Sequence, residues 1–214
     1  MREQLTDLRS TRNPKARIKI MEGHFATVNS HINTYIDMST VKCRHNNGRE
    51  TARVLAEHFR NNTMVDTIVC LDGTEVIGTF MADFLSDRGI MSINSGNNIS
   101  IITPDVNAYG QLVFMDSTIR MIKNMQVLVL AASVTTGRTI AQAAEAVSYY
   151  GGTVGGVAAI FSNVEQTPEE MQIFSIFHKE DLPDYQAYQP SECPMCRRKQ
   201  PLDAIVNGFG YSKL

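Results

Sequence analysis

An apolar strand that runs through a turn of small residues into a helix is the feature that most restricts how this sequence can fold. Residues 128–140 read LVLAASVTTGRTI, in which apolar residues lead into a cluster of serine, threonine and glycine. A short continuous apolar run indicates a strand buried on both faces, as is typical of parallel sheets. We therefore expect an α/β fold with a ligand site beyond the end of this strand.

The same order of strand, turn and helix occurs a second time, at residues 67–85. Four apolar residues, Ile68 to Leu71, precede the turn Asp72-Gly73-Thr74, and an apolar helical face follows at 76–84. Further predicted elements are a helix at 48–60 and strands at 99–103, 111–115, 153–162 and 173–177. Alternating strands and helices predict a mostly parallel central sheet with helices on both faces. Both turns then lie at the same edge of that sheet.

The two ends of the chain show weaker patterns. We predict a short helix at 1–10, half-exposed strands at 17–23 and 32–39, and an irregular tail from Asp181 onward, because that tail is rich in turn residues. The two strands fit an N-terminal subdomain better than the central sheet.

Length and charge exclude several classes of protein. A chain of 214 residues is long enough for one substantial core, so a single domain over residues 1–214 is expected. The net charge of −2, with no basic run, argues against a general binder of nucleic acid or of membrane surfaces. The polar start resembles no secretory signal, and no apolar run approaches the roughly 20 residues that span a bilayer. We expect a cytoplasmic protein with a small-molecule ligand.

The turn after the first strand has the residue types of a phosphate-binding loop. Hydroxyl groups can donate to an anion, glycine lets the backbone come close, and amide groups at a helix start point toward it. The lysine of a Walker loop and the glycines of a dinucleotide fingerprint are both missing. The alternative is that Thr135 or Thr136 only caps the helix. The candidate 5′-phosphate ligands are Ser133, Val134, Thr135, Thr136, Gly137, Arg138 and Thr139.

This loop resembles the phosphoribosyl pyrophosphate signature of type I phosphoribosyltransferases, and over residues 45–180 the chain looks most like orotate phosphoribosyltransferases. The resemblance implies that the loop holds the 5′-phosphate and that Asp72, Gly73 and Thr74 approach pyrophosphate and its magnesium. It also implies a glycosyltransferase of nucleotide metabolism, in pyrimidine biosynthesis, that forms a homodimer. In this family a core, here about 45–180, carries a base-recognising hood, here about 15–40 and 180–214.

Two departures from the family pattern bear on the chemistry. Ala131 and Ala132 occupy the positions of an acidic pair that helps to stabilise the positive transition state, and no lysine or arginine occurs from Gly89 to Ile119, where a basic lid is expected. The sequence thus leaves open whether the chain is an active transferase or a protein that binds a nucleotide or sugar phosphate without transferring it. An unrelated α/β protein is the third alternative, and no catalytic residue is assigned.

The cysteines suggest a separate hypothesis. Cys193 and Cys196 form a C-x-x-C pair of the kind that supplies half of a structural zinc site. Cys43 and His45 are a nearby cysteine and histidine that could complete it. The alternative is four reduced thiols, with Cys70 buried in its strand.

Overall fold

The computed structural model describes residues 5–11, 13–89, 91–182 and 184–214. Its strands are β1 (Thr6–Arg9), β2 (Arg17–Ala26), β3 (His31–Asp37), β4 (Thr67–Cys70), β5 (Ser100–Ile102), β6 (Asp105–Val106), β7 (Leu112–Val113), β8 (Gln126–Val134), β9 (Thr153–Ser162), β10 (Ile173–His178), β11 (Ala187–Tyr188), β12 (Ala204–Asn207) and β13 (Gly210–Lys213). Its helices are α1 (Ser39–Cys43), α2 (His45–Phe59), α3 (Glu75–Ser86), α4 (Asp116–Ile119), α5 (Arg138–Tyr149) and α6 (Pro194–Arg197). None of the helices in these ranges is long and apolar enough to cross a membrane.

The central sheet has five strands in the order β10-β9-β8-β4-β5, and each neighbouring pair is parallel. One apolar cluster packs α2 and α3 against one face, and a second packs α5 against the other. Side chains of β8 alternate between them, with Leu128 in the first cluster and Val129 in the second. The predicted α/β class, with helices on both faces of a parallel sheet, is confirmed.

A second sheet, which we call the terminal sheet, combines both ends of the chain. Its order is β11-β3-β2-β12-β13. β1 pairs with the first residues of β2, from Arg17 to Ile20, and β12 pairs with the last two, Phe25 and Ala26. The predicted helix at 1–10 is wrong, because residues 6–9 form an antiparallel strand against β2; residues 1–4 lie outside the described part.

The prediction of an irregular tail is also wrong over its last residues. β12 runs parallel to β2, pairing Ala204 with Phe25, and then turns into β13. The two residues of the turn are Gly208 and Phe209, between the paired Asn207 and Gly210. The side-chain oxygen of Asn207 accepts from the amides of Phe209 and Gly210, which is a local turn signal that the sequence carried.

The stretch in which a basic lid was expected folds into a small antiparallel hairpin of β6 and β7. Behind it, the Phe114 ring lies edge-on to Tyr150, 5.6 Å between centroids, at the end of α5. The hairpin is thus attached to the α5 side of the central sheet.

Packing of α2 on the sheet depends on a glycine in β9. A Cβ added at Gly156 would lie 2.9 Å from the Phe59 ring and 3.0 Å from Leu128, closer than real contacts allow. A Cβ at Gly155 would meet its nearest atom at 3.5 Å, an ordinary contact. Neighbouring glycines in one strand therefore differ in the space around them.

This difference gives a test of the fold. We expect Gly156→Ala to lower the free energy of unfolding by about 1–3 kcal/mol, because the methyl group overpacks the α2 interface. Gly155→Ala is the matched control, and we expect it to be neutral or to stabilise by up to about 1 kcal/mol. Urea denaturation of both variants measures the difference. Equal effects of the two substitutions would contradict the packing described.

Candidate phosphoribosyl-binding site

The two predicted loops lie side by side at the carboxyl ends of β4 and β8. The amide of Leu71 donates to the carbonyl of Leu130 at 2.8 Å, which extends the strand pairing to the start of the first loop. The backbone N–H of Ala132 donates to the carboxyl group of Asp72. The parallel register thus places Asp72-Gly73-Thr74 beside the loop that follows β8.

The loop of residues 133–139 has the geometry of an anion site. Helix α5 begins at Arg138, its N-cap is Gly137 with φ 78°, and no side chain makes a cap hydrogen bond. The alternative in which Thr135 or Thr136 caps the helix is therefore not what the structure shows. The first amide groups of a helix lack intrahelical partners, and they carry partial positive charge toward an anion. Ser133, Thr136 and Thr139 are exposed and line one cavity with Gly137.

Gly137 allows a close approach that any side chain would block. A Cβ there would lie 3.1 Å from the Cα of Thr167 and 3.2 Å from the ring of Pro168, in the segment between β9 and β10. Thr135 is held by a side-chain hydrogen bond with Tyr185. The loop is thus fixed from both sides before any ligand binds.

Two of the predicted ligands contribute differently from the hydroxyl residues. Val134 is 3% exposed and packs in the apolar cluster below α5, so its backbone alone is available. Arg138 is exposed at the first position of α5, where its charge can add to the attraction for an anion.

The predicted pyrophosphate loop has an unusual backbone. Asp72 has φ 57° and Gly73 φ 75°, so two successive residues adopt the left-handed conformation. The Thr74 side chain is fully buried, and its hydroxyl lies 2.9 Å from the carbonyl of Leu71 and 3.2 Å from that of Leu130. Thr74 therefore fixes the loop to the strands, whereas the Asp72 and Gly73 positions remain partly accessible.

Sequence reasoning missed Lys42, which lies beside this loop. Lys42 is 7% exposed, and its ammonium group donates to the carbonyl of Asp72 at 2.8 Å and to that of Gly208. Burial lowers the Lys42 pKa, and the neighbouring Asp72 opposes that shift. The two ends of the contact are 30 residues apart in sequence, and no local pattern connects them.

The β12–β13 turn covers the same loop. A Cβ at Gly208 would lie 2.7 Å from the Cβ of Asp72, so the turn approaches as closely as glycine permits. The Phe209 ring lies over Gly73 and 5.2 Å from the Lys42 nitrogen. The C-terminal hairpin is thus part of the site.

A cavity of about 270 Å³ opens between the two sheets at this edge. Its lining includes the phosphate loop, Asp72, the β2–β3 turn and the β12–β13 turn. Ala131 and Ala132 also line it, and each is 1% exposed. Among the described lining residues, Asp72 supplies the one carboxylate and Arg138 the one guanidinium.

Aromatic rings form the cavity wall on the side of the terminal sheet. Burial raises the pKa of Tyr35 to about 12 and that of Tyr185 to about 12. Tyr185 packs on Phe161 at 5.2 Å between ring centroids, and Tyr35 packs on Tyr211 at 5.3 Å. Both phenols are therefore neutral at physiological pH and can present flat apolar faces to a ligand.

The structure does not assemble the zinc ligands that the sequence suggested. Cys43 is exposed at the end of α1, and His45 begins α2 with its ring edge-on to Phe80. Cys193 and Cys196 lie instead beside His24 and His31, because α6 packs at the β2–β3 end of the terminal sheet. Cys70 is fully buried, as predicted.

Asp72 provides a test of the electrostatics. Burial raises its pKa, while Lys42 and the Ala132 amide oppose that shift. Because the folded-state pKa lies above the unfolded one, the stability linked to this carboxyl is present at low pH and is lost as pH rises through the folded pKa. We expect Asp72→Asn to raise the free energy of unfolding at neutral pH and to have little effect near pH 3.

Urea denaturation at the two pH values measures this effect. Asp105→Asn, at an exposed position of β6, is the matched control and should change stability by less than about 0.5 kcal/mol at both. A loss of stability in Asp72→Asn at neutral pH would contradict the description.

Known proteins resemble this chain in sequence and in fold. No family model matches the chain. It is 27% identical over 196 residues to the orotate phosphoribosyltransferase of Chlorobaculum parvum, a match that covers 86% of this chain and 88% of the relative. It is 28% identical over 188 residues to that of Chlorobium phaeobacteroides strain BS1, with the same coverage.

Solved structures share the fold. Orotate phosphoribosyltransferase from Aeropyrum pernix matches with a TM-score of 0.52 and 16% identity, over 77% of this chain and 90% of that one. The Mycobacterium tuberculosis enzyme in complex with phosphoribosyl pyrophosphate matches with a TM-score of 0.51 and 19% identity, over 69% and 82%. Leishmania donovani UMP synthase matches with a TM-score of 0.56 and 17% identity over 77% of this chain, which spans about a third (34%) of that protein. The chain is thus similar in sequence to orotate phosphoribosyltransferases and shares the fold of their solved structures.

Proposed function

We propose that the protein transfers a phosphoribosyl group from phosphoribosyl pyrophosphate to a ring nitrogen of an orotate-like base. The bond from the anomeric carbon to pyrophosphate oxygen breaks and its electron pair leaves with pyrophosphate, while a bond to the base nitrogen forms as that nitrogen releases its proton to water. The observation that carries the proposal is the pair of loops at one sheet edge, which open into one cavity. The names of the relatives identify orotate as their acceptor, so orotate is the first base to test.

The loop of residues 133–139 supports the binding half of this function. A 5′-phosphate placed against the start of α5 would accept from its unpaired amides and from the exposed Thr136 and Thr139 hydroxyls. Holding this end of the substrate fixes the position of the anomeric carbon relative to the second loop. Positioning of this kind is a large part of the catalytic effect when two reactants must meet.

Asp72 is placed to act on the reacting end. The alanine pair contributes no charge, so Asp72 is the carboxylate that the described cavity lining offers to a positively charged transition state. It also fits the magnesium that the resemblance implies, since magnesium in such sites is held by one or two carboxylates together with substrate phosphates. Bound there, magnesium would offset the charge of pyrophosphate. On this proposal Asp72→Asn loses turnover although it gains stability.

Lys42 supplies a positive charge that the β6–β7 hairpin does not. An ammonium group has three donors, and two of them bond to the Asp72 and Gly208 carbonyls, so the Lys42 charge is held against the Asp72 loop just behind the cavity lining. Partial burial strengthens the attraction between Lys42 and a pyrophosphate oxygen. We therefore assign to Lys42 the role that a basic lid has in the family.

The second candidate function is binding of a nucleotide or sugar phosphate without transfer. Ala131 and Ala132 are the observation behind it, since methyl groups line the cavity where the family has an acidic pair. The names of the relatives favour transfer. Turnover decides between the two.

The deciding experiment follows pyrophosphate release from phosphoribosyl pyrophosphate with magnesium and orotate, then with other pyrimidine and purine bases. We expect turnover with orotate or a close analogue. If no base supports turnover while calorimetry shows binding of ribose 5-phosphate, the protein is a binder and the transferase proposal is wrong.

Gly137→Asp tests the phosphate loop in the same assays. A carboxylate at the start of α5 repels the 5′-phosphate, so we expect binding and turnover to fall at least about a hundredfold. Gly137→Asn is the matched control, because it places a side chain of the same size at the same left-handed position without the charge, and it should lose less binding. Equal binding by wild type and Gly137→Asp would remove the loop from the site.

Lys42→Met tests the proposed cation, because methionine keeps the apolar stem and loses the charge. We expect kcat/KM for phosphoribosyl pyrophosphate to fall about tenfold or more, since a hydrogen bond to a charged group is worth about 1.5–3 kcal/mol. Lys123→Met, at an exposed position, is the control and should leave kcat/KM unchanged. An unchanged value in Lys42→Met would show that Lys42 only anchors the C-terminal hairpin.

The remaining expectations from sequence and resemblance stay predictions. They are the cytoplasmic location, the homodimer, the pyrimidine pathway, and the division into a core of about 45–180 and a hood of about 15–40 and 180–214. The cavity supports the last of these, since the β2–β3 and β12–β13 turns both line it.

A further inference from the structure

Two cysteines and two histidines meet at one end of the terminal sheet, outside the cavity. Their ligating atoms all lie within 4.8 Å of one another, and the residues are His24, His31, Cys193 and Cys196. His24 is fully buried and Cys193 is 1% exposed, whereas Cys196 is at the surface. Buried polar groups are therefore concentrated around one point that has an open side.

We propose that this cluster is a structural zinc site of the Cys2His2 type, with the C-x-x-C pair as one arm and the β2–β3 hairpin as the other. Zinc is tetrahedral in such sites, with bonds of about 2.3 Å to sulfur and about 2.0–2.1 Å to nitrogen. A tetrahedron with those bond lengths has ligand-to-ligand edges of about 3.3 Å for nitrogen–nitrogen and about 3.5 Å for sulfur–nitrogen.

Four of the six distances between ligand atoms are close to those edges. His24 Nε2 lies 3.1 Å from His31 Nδ1 and 3.5 Å from Cys193 Sγ. Cys196 Sγ lies 3.7 Å from His24 Nε2 and 3.2 Å from His31 Nδ1. The other two distances, from Cys193 Sγ to Cys196 Sγ and to His31 Nδ1, are at most 4.8 Å. The four atoms thus surround a space close to the size that one zinc ion requires.

The proton on His24 is fixed on the side away from the cluster. His24 Nδ1 lies 3.0 Å from the carbonyl oxygen of Gln200, which can only accept, so Nδ1 carries the hydrogen. The Nε2 lone pair then points toward the sulfurs. Zinc-bound histidines have this arrangement, in which the second nitrogen donates to a carbonyl and fixes the ring.

The charges also balance at such a site. Two thiolates and two neutral imidazoles neutralise one divalent cation, and sulfur with nitrogen ligands in a tetrahedron favours zinc over magnesium or calcium. Without a metal, the buried side chains of Cys193 and His24 would contact each other only through a thiol hydrogen bond, and a thiol is a weak donor. A disulfide between the two cysteines is the competing chemistry.

The position of the site connects the proposed zinc ion to β12. His24 and Asp203 are joined by two backbone-linked hydrogen bonds, from the His24 amide to Asp203 Oδ2 and from the Asp203 amide to the His24 carbonyl, each 2.8 Å. β12 starts at the next residue, and its turn covers the Asp72 loop. Zinc would therefore hold the segment before β12 to β2 and keep the C-terminal hairpin over the cavity.

Metal analysis of protein purified without an affinity tag or chelators tests the proposal. We expect about one zinc per chain in wild type and less than about a tenth in Cys196→Ser and His31→Ala, both of which change accessible ligands. Cys43→Ser and His45→Ala are the matched controls and should keep about one zinc. Circular dichroism checks that each variant is folded.

Cobalt substitution and hydrogen exchange add readouts that do not depend on activity. Cobalt-loaded wild type should show the visible absorption of a tetrahedral thiolate site, and chelation should speed amide exchange in residues 204–213. Less than about a tenth of an equivalent of zinc in wild type, before and after incubation with zinc, would overturn the site. So would retention of zinc by His31→Ala, or a Cys193–Cys196 disulfide found by mass spectrometry.

Discussion

The register between β4 and β8 is the constraint on which the site depends. Because the two strands are parallel neighbours, the turns after them emerge at the same edge, and the Leu71–Leu130 hydrogen bond carries the pairing up to the loops. One residue of slip would turn every side chain of β8 to the other face. Ala132 would then no longer present its amide to Asp72. Both loops are thus positioned by backbone pairing, before any side chain contributes.

Backbone strain and burial are concentrated at the first of these loops. Asp72 has a left-handed conformation, its carboxyl is partly buried, and Lys42 and the β12–β13 turn pack against it. The first two of these features cost free energy, since a residue outside its preferred conformation or a desolvated carboxyl is unfavourable by itself. Such costs are retained mostly where a group must be held ready for a ligand. We interpret the loop in this way, because the other described carboxylates lie outside the cavity lining.

The central sheet could be predicted from sequence because its signals are local. The apolar run before Ser133 and the one before Asp72 each specify a strand, a turn and a helix within about 20 residues, and a parallel sheet then places both turns together. Lys42 and His24 gave no such signal. Lys42 reaches the Asp72 carbonyl from α1 across 30 residues, and His24 meets Cys193 across 169 residues. Their contacts follow from how the terminal segments pack, which no periodicity encodes.

The ligands of the proposed zinc site come from segments that are far apart in sequence. The C-x-x-C pair predicted one arm of a zinc site, and residue type with nearness in sequence suggested Cys43 and His45 as the other arm. Those residues lie at the α1–α2 junction, whereas the segment with Cys193 packs against β2 and β3. A hairpin brings residues on its two strands together, as it does His24 and His31. A cation held there would connect both ends of the chain, and through Asp203 and β12 it would act on the hairpin that covers the Asp72 loop. One ion would then help to hold this hairpin in place, and its position fixes one wall of the cavity in which we place the chemistry.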